Sequence, residues 1–430
     1  MDELMRREIH EALSVETPPG LRGRVIDALP MKNRRETRAG KRSFEWVAGF
    51  AALLITIAVI AGLLYARGAQ GLRQDSPGNL RPAPSARFLG PNAFAVASNG
   101  SIYISDWVSG YVFRLQPDGT LVTVAGRKEA ATSEEGSAGD GGPALGAYLF
   151  APAGIAFDQA GNLFIADMAG NRIRRVDTFG IITTIAGTGP ALLGVGTFAG
   201  DGGPATTARL RSPDGIAFDR AGDLYFADSG NGKVRRIDKN GIISSLDMSA
   251  WPGSSSFTPH VLAFDSSGNL YVTSDNQWNV SSCWVVRITP QNAISAVAGV
   301  GTCGYSGDGG SATSAELDGV SGIALDSQGN LYIADGNNHR IRRVDANGII
   351  TTVAGTGADG TAGEGGPVLR AQLQLPLGLT LTSKGLLYIA EVCGKCLGTD
   401  LIPGRVLVMS PVDGTLRAAV SGRPRIMAPR

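Results

Sequence analysis

Four acidic residues of this chain stand in one recurring setting. Asp140, Asp201, Asp308 and Glu364 lie in the runs Ala138-Gly-Asp-Gly-Gly-Pro-Ala144, Ala199-Gly-Asp-Gly-Gly-Pro-Ala205, Ser306-Gly-Asp-Gly-Gly-Ser-Ala312 and Ala362-Gly-Glu-Gly-Gly-Pro-Val368. An oxygen-rich turn can hold Ca²⁺, but calcium loops offer several carboxylates and each of these offers one. A glycine-rich turn followed by a short helix, such as Pro204-Ala-Thr-Thr-Ala-Arg-Leu210, fits the runs better. No cofactor is therefore expected, with Ca²⁺ the one ion this chemistry admits.

Cations recur at a fixed place too: Arg172, Arg174 and Arg175; Lys233, Arg235 and Arg236; Arg340, Arg342 and Arg343. Such a stripe could follow a phosphate backbone. The formal net charge is only +1, with 39 Lys and Arg against 38 Asp and Glu, so no bulk attraction for nucleic acid follows. Packed stems with heads paired to the repeated Asp167, Asp228 and Asp335 explain one copy per repeat more simply. Nucleic acid is not the expected partner.

The chain has 3 His, namely His10, His260 and His339. A catalytic zinc ion takes about three protein ligands, often His, so no zinc site is expected. His339, in Asn337-Asn-His-Arg-Ile341, is a candidate for a ligand-binding face. No Gly-x-Ser-x-Gly nucleophile elbow is present. The 4 Cys are Cys283, Cys303, Cys393 and Cys396, an even set that suits disulfides in an oxidising space. Cys393 and Cys396 are expected to pair as a local staple, and Cys283 with Cys303.

The elements that position these residues come from an internal repeat. Its clearest copies are Pro152–Gly187 and Val320–Gly355; others begin at Pro91, Pro213, Pro259 and Pro376. Each carries four short β-runs, in the second copy Gly154–Phe157, Leu163–Ala166, Ile173–Val176 and Ile181–Ile185. Asp158-Gln-Ala-Gly-Asn162 and Asp177-Thr-Phe-Gly180 supply tight turns between them. No copy can bury its apolar face alone. Four antiparallel strands, repeated radially six times, predict an all-β, six-bladed β-propeller.

These copies resemble the NHL repeat family in its bacterial form, on residues such as Gly154-Ile-Ala-Phe-Asp158 and Arg340-Ile-Arg-Arg-Val-Asp345. The likeness runs from about Pro91 to Gly422. Blade four has Ser274 where the others have Asp, and an insertion, Asn276–Cys283, that contains Trp278; blade six has Glu391. The resemblance implies a binding or sensing propeller. It also brings in related propellers that are lactonases or lyases, the enzymatic alternative, and animal NHL propellers that bind RNA, a second alternative.

Ahead of the repeats, Trp46–Ala66 is 21 residues without a charge, long enough to span a bilayer core. Lys32, Arg34, Arg35, Arg38, Lys41 and Arg42 precede it, and only Arg67 and Arg73 closely follow. The positive-inside rule predicts a cytoplasmic N-terminus and an exported propeller. The domain plan is thus a partly helical cytoplasmic segment 1–43, a transmembrane helix 44–66, a flexible linker 67–88, the propeller 89–422 and a tail 423–430. Segment 1–43 is a candidate docking site for a cytoplasmic partner. The expected whole is a single-pass membrane protein that binds an extracytoplasmic protein, peptide or glycan. Long loops on a rigid scaffold carry function, so the expected binding face holds Asp140, Asp201, Trp278, Asp308, His339 and Glu364.

Overall fold

The computed structural model describes residues 88–127, 139–189, 198–249, 251, 257–274, 283–392, 404–410 and 414–419. The apolar stretch 46–66, the segments before and after it, Trp278, Cys393 and Cys396 lie outside these residues. No helix among the described residues is long and apolar enough to cross a membrane.

Each repeat becomes one antiparallel sheet of four consecutive strands, and there are six such sheets. In the first they are β1 (Pro91–Val96), β2 (Ile102–Asp106), β3 (Tyr111–Leu115) and β4 (Leu121–Ala125). The first strands of the later repeats are β5 (Pro152–Phe157), β9 (Pro213–Phe218), β13 (Pro259–Phe264), β17 (Val320–Leu325) and β21 (Leu375–Leu381). Proline suits the first position of a strand, where its missing N–H costs no ladder bond. These six first strands adjoin one another in a ring, β21 meeting β1, and surround a central channel. The architecture is an all-β six-bladed propeller.

Two kinds of contact close the ring. At the third position of β5, β9 and β17 and the fourth of β21, Gly154, Gly215, Gly322 and Gly378 face the neighbouring blade. A Cβ on Gly215 would lie 2.5 Å from the His260 carbonyl, and one on Gly378 only 2.0 Å from that of Asn92. Further out, an aromatic at the second position of each second strand packs on the next blade. Tyr103 meets Phe157, Phe164 meets Phe218 and Tyr225 meets Phe264, all edge-on with ring centres 4.8, 4.9 and 5.1 Å apart. Tyr388 of blade six meets Phe94 of blade one. The buried apolar residues accordingly fall into six clusters, each between two consecutive blades. Apolar burial is therefore concentrated between blades, and these interfaces add to the stability of each blade, as in other repeat proteins.

The glycine-rich runs have a structural task as well. Each lies along the outer strand of the blade it precedes: Gly141 N–H donates to the Ile182 carbonyl and Ile182 N–H to that of Gly142. The same exchange recurs at Gly202 and Gly203 with Ile243, at Gly309 and Gly310 with Ile350, and at Gly365 and Gly366 with Leu416. An outer strand left bare would template edge-to-edge association. One 3₁₀ turn follows each run, at Ala144–Gly146, Ala205–Thr207, Ala312–Ser314 and Val368–Arg370.

Candidate functional site

The repeated acids and cations meet inside the propeller. Arg174 donates to Asp140 at 2.7 Å and lies 3.5 Å from Asp167. Arg235 bonds Asp201 at 2.7 Å and Asp228 at 3.1 Å. Arg342 bonds Asp308 at 2.8 Å and Asp335 at 3.1 Å. Each guanidinium is fully buried, one carboxylate beneath it is buried too, and the other, from the glycine-rich run, is about one-third exposed. Burial pushes the carboxyls of Asp167 and Asp335 up to about 6, against the pull of Arg174 and Arg342 and of backbone N–H donors. Asp308 is held below the ordinary range: burial opposes this, but Thr352, Arg342 and Tyr305 outweigh it. The middle cation of each triplet is thus paired on both sides and withdrawn from the surface, so it offers no phosphate contact.

The buried polar residue near the end of the second strand also holds a backbone group in every blade. It accepts the N–H of the residue leading into the first strand. Asp106 takes Leu89, Asp167 takes Phe150, Asp228 takes Arg211, Ser274 takes Thr258, Asp335 takes Asp318 and Glu391 takes Gln374. Ser274 and Glu391 keep the bond with a different side chain. Blade four loses the rest together: Val286 stands where blades two, three and five place Arg, and Trp251 and Phe257 pack there. In blade six the cation moves along its strand, Arg405 bonding both Glu391 and Glu364.

Above two of the buried cations stand exposed aromatics that the sequence reading did not single out. Phe198 lies over Arg235 and Tyr305 over Arg342, with the guanidinium carbons 4.7 and 4.9 Å from the ring centres. Lys233 and Arg340 flank the same rings. Both rings remain about two-fifths exposed. They occupy the same place, three residues before Asp201 and Asp308. Comparing the residues that precede the glycine-rich runs would have found them.

The channel holds a further pair. Its cavity is about 250 Å³, lined by the first strands. The second residues of β1, β5, β9, β13 and β17 are Asn92, Ala153, Asp214, His260 and Ser321, and Leu377 follows Pro376 at the equivalent place in β21. Asp214 and His260, from adjacent blades, meet with Nε2 at 3.1 Å from Oδ2. Burial raises the Asp214 carboxyl and His260 partly offsets this. Nδ1 of His260 is buried and unpartnered.

Of the other candidates, His339 ends a turn at φ 53° and its Nδ1–H donates to the Gln374 carbonyl of the next blade. Cys283 and Cys303 form a disulfide that ties the third strand of blade four to the loop leaving that blade. The predicted site residues are therefore dispersed over four blades, and the structure joins Asp140, Asp201, Asp308 and Glu364 to cations without bringing them to one another.

The Teneurin NHL domain model matches residues 124–194, 191–256 and 254–362. Teneurin-4 of Mus musculus is 28% identical over 359 residues, and Teneurin-3 of Danio rerio 30% over 351; each match takes in 72% of this chain. The match spans 12% of either relative's length. A protein of unknown function from Bacteroides thetaiotaomicron VPI-5482 shares the fold, with a TM-score of 0.51 and 21% identity over 74% of this chain and 70% of its own.

Proposed function

Because the chain belongs to the Teneurin NHL domain family and closes as a six-bladed propeller, we propose that it is a protein-binding module, anchored in a membrane through residues 46–66 with the propeller outside. The observation that carries this reading is the pair Phe198 and Tyr305. Large aromatic side chains are the commonest anchors of protein interfaces, and they bind best when already rigid. Here each ring is exposed on one side and held on the other by a buried guanidinium that two carboxylates fix in turn. The rigid strands thus present two equivalent aromatic contacts on blades three and five. The charge asymmetry around 46–66 supports the orientation.

Photo-crosslinking residues placed at Phe198 or Tyr305 of the full chain test the reading in the native membrane. A discrete protein adduct from these sites, absent when the probe sits at Gln159 or Gln328 in the turns at the opposite end, is the expected result. Adducts from the second pair alone, or a glycan in place of a protein, would overturn it.

A second reading, lactone or lyase chemistry in the channel, has the Asp214–His260 pair in its favour. An imidazole oriented by a carboxyl, with its other nitrogen free, is suited to proton transfer. Turnover of a lactone panel that His260→Ala abolishes would support it; an inactive parent protein across that panel would dismiss it.

A further inference from the structure

Among the described residues, apolar side chains break the pattern of the lead-in residues in blades one and two. The residues leading into the first strands are Leu89 and Phe150 in blades one and two, but Arg211, Thr258, Asp318 and Gln374 in blades three to six. The turns after the second strands follow suit. Trp107-Val108 and Met168-Ala169 open those of blades one and two, where Ser229-Gly230 and Gly336-Asn337 stand in blades three and five. Leu89, Trp107, Val108 and Phe150 are 44%, 36%, 47% and 53% exposed. None of these exposures serves the core, since polar residues do the same backbone task elsewhere in the ring.

The four side chains form one sector. Trp107 and Val108 pack over Gly90, beside Leu89: a Cβ on Gly90 would lie 2.5 Å from the Trp107 indole nitrogen and 2.6 Å from Val108. Across the blade boundary, Gly110 of the same turn abuts the Leu149 carbonyl, next to Phe150. The sector also surrounds the point where the chain arrives. Phe88 is buried edge-on against Phe113, with ring centres 5.9 Å apart, and Leu89 follows it.

We infer that this sector of blades one and two rests on a lipid surface. The inference builds on the membrane-anchored reading above. Residues 67–87 separate the apolar stretch ending at Ala66 from Phe88. If this segment is the linker that its composition predicts, it reaches only roughly 25 Å on average. Such a tether would keep the sector beside Leu89 nearer a bilayer than the rest of the propeller. Its chemistry matches that location: Trp, Phe and Leu on protruding turns enter the boundary between headgroups and acyl chains.

The test uses the full chain reconstituted into phosphatidylcholine–phosphatidylglycerol vesicles that contain a phosphatidylcholine with a diazirine on its acyl chain. Adducts should map to Leu89, Trp107–Val108 and Phe150. They should be absent from Phe179, which is 90% exposed on the other turn set of blade two and controls for exposure alone. The surface variant Leu89→Ser, Trp107→Ser, Phe150→Ser should lose the sector adducts and retain those within 46–66. Labelling confined to 46–66 would overturn the inference and leave the anchor standing. No labelling anywhere would overturn both. Equal labelling of Phe179, or crosslinks between the sectors of two copies in place of lipid adducts, would overturn the inference as well.

Discussion

Arg342 reaches back 34 residues to Asp308, donating to its carboxylate at 2.8 Å from a fully buried position. The bond joins the third strand of blade five to the glycine-rich run that covers the same blade's outer edge. Asp335 completes the arrangement from below at 3.1 Å and also fixes the chain entering the blade, through the Asp318 N–H. One cation thus ties three segments of a repeat together. The equivalent cation in blade three also supports an exposed aromatic, so the device that stabilises a blade positions the proposed binding contact.

Removing the cation alone should be costly. Arg342→Met leaves Asp335 buried without its counter-ion, a defect that costs about 3–5 kcal/mol. Blade four shows the apolar solution, with Val286 and Ser274 in the corresponding places. The double variant Arg342→Val, Asp335→Ser should therefore be more stable than Arg342→Met, although it loses one more native side chain. Urea unfolding of the three proteins gives the order. A double variant less stable than the single one would show that the pair is irreplaceable in this blade.

The same acids give stability a pH dependence of unusual sign. The carboxyls of Asp167 and Asp335 are raised to about 6 by burial, above an unfolded value of about 3.9. A folded state that binds the proton more tightly gains stability below the unfolded value and loses it as pH rises through the folded one. Each acid should thus contribute a fall on the order of 3 kcal/mol between about pH 4 and pH 6.5. Asp308, held low, works the other way, losing its contribution as pH falls. Melting temperatures across this range should drop less steeply for Asp335→Asn than for the parent. Parallel curves would show that Asp335 does not titrate there.

Strand order, blade number and the start of each blade were legible because the repeat displays them several times over. Pro152, Pro213 and Pro259 open strands at the positions the repeat predicts. The pairing of Asp228 with Arg235 and of Asp335 with Arg342 was legible for the same reason. What repetition hides is the residue that differs. Asp214 and His260 are alone of their kind at that position in the ring, so no pattern marked them, and only the closure of β9 against β13 brings them within 3.1 Å. The acids Asp201 and Asp308 were read as candidates on an exposed binding face. Their cations lie 34 residues further along and reach them through the pairing of each run with an outer strand.

The disulfide should matter most where the ion-paired device is missing. Cys283 and Cys303 close a loop with a sequence separation of 20 in blade four. Closing a loop of that size contributes about 2–4 kcal/mol by restricting the unfolded chain. Cys303→Ser should lower the urea midpoint accordingly, and reduction should lower that of the parent more than that of the variant. A variant as stable as the oxidised parent would mean that packing of Trp251 against Trp284 already suffices there.

Closure of the ring should fail at a single methyl group. Blades six and one meet in β21 and β1, where a Cβ on Gly378 would stand 2.0 Å from the Asn92 carbonyl oxygen and 3.0 Å from its carbon. The obstacle is backbone on a first strand, and the strand cannot retreat without disturbing the channel wall and Phe94, which packs on Tyr388. Overpacking of this kind costs about 1–3 kcal/mol or more. Gly348 supplies the control: its φ is +77°, but nothing lies within 4 Å of its added Cβ, so alanine there strains only a turn. Gly378→Ala should be the more destabilising of the two. Hydrogen exchange should show its added opening concentrated in β1 and β21, with the seam between blades three and four unchanged. Equal destabilisation by both substitutions, or opening spread evenly over all six blades, would mean that this seam is not where the ring closes.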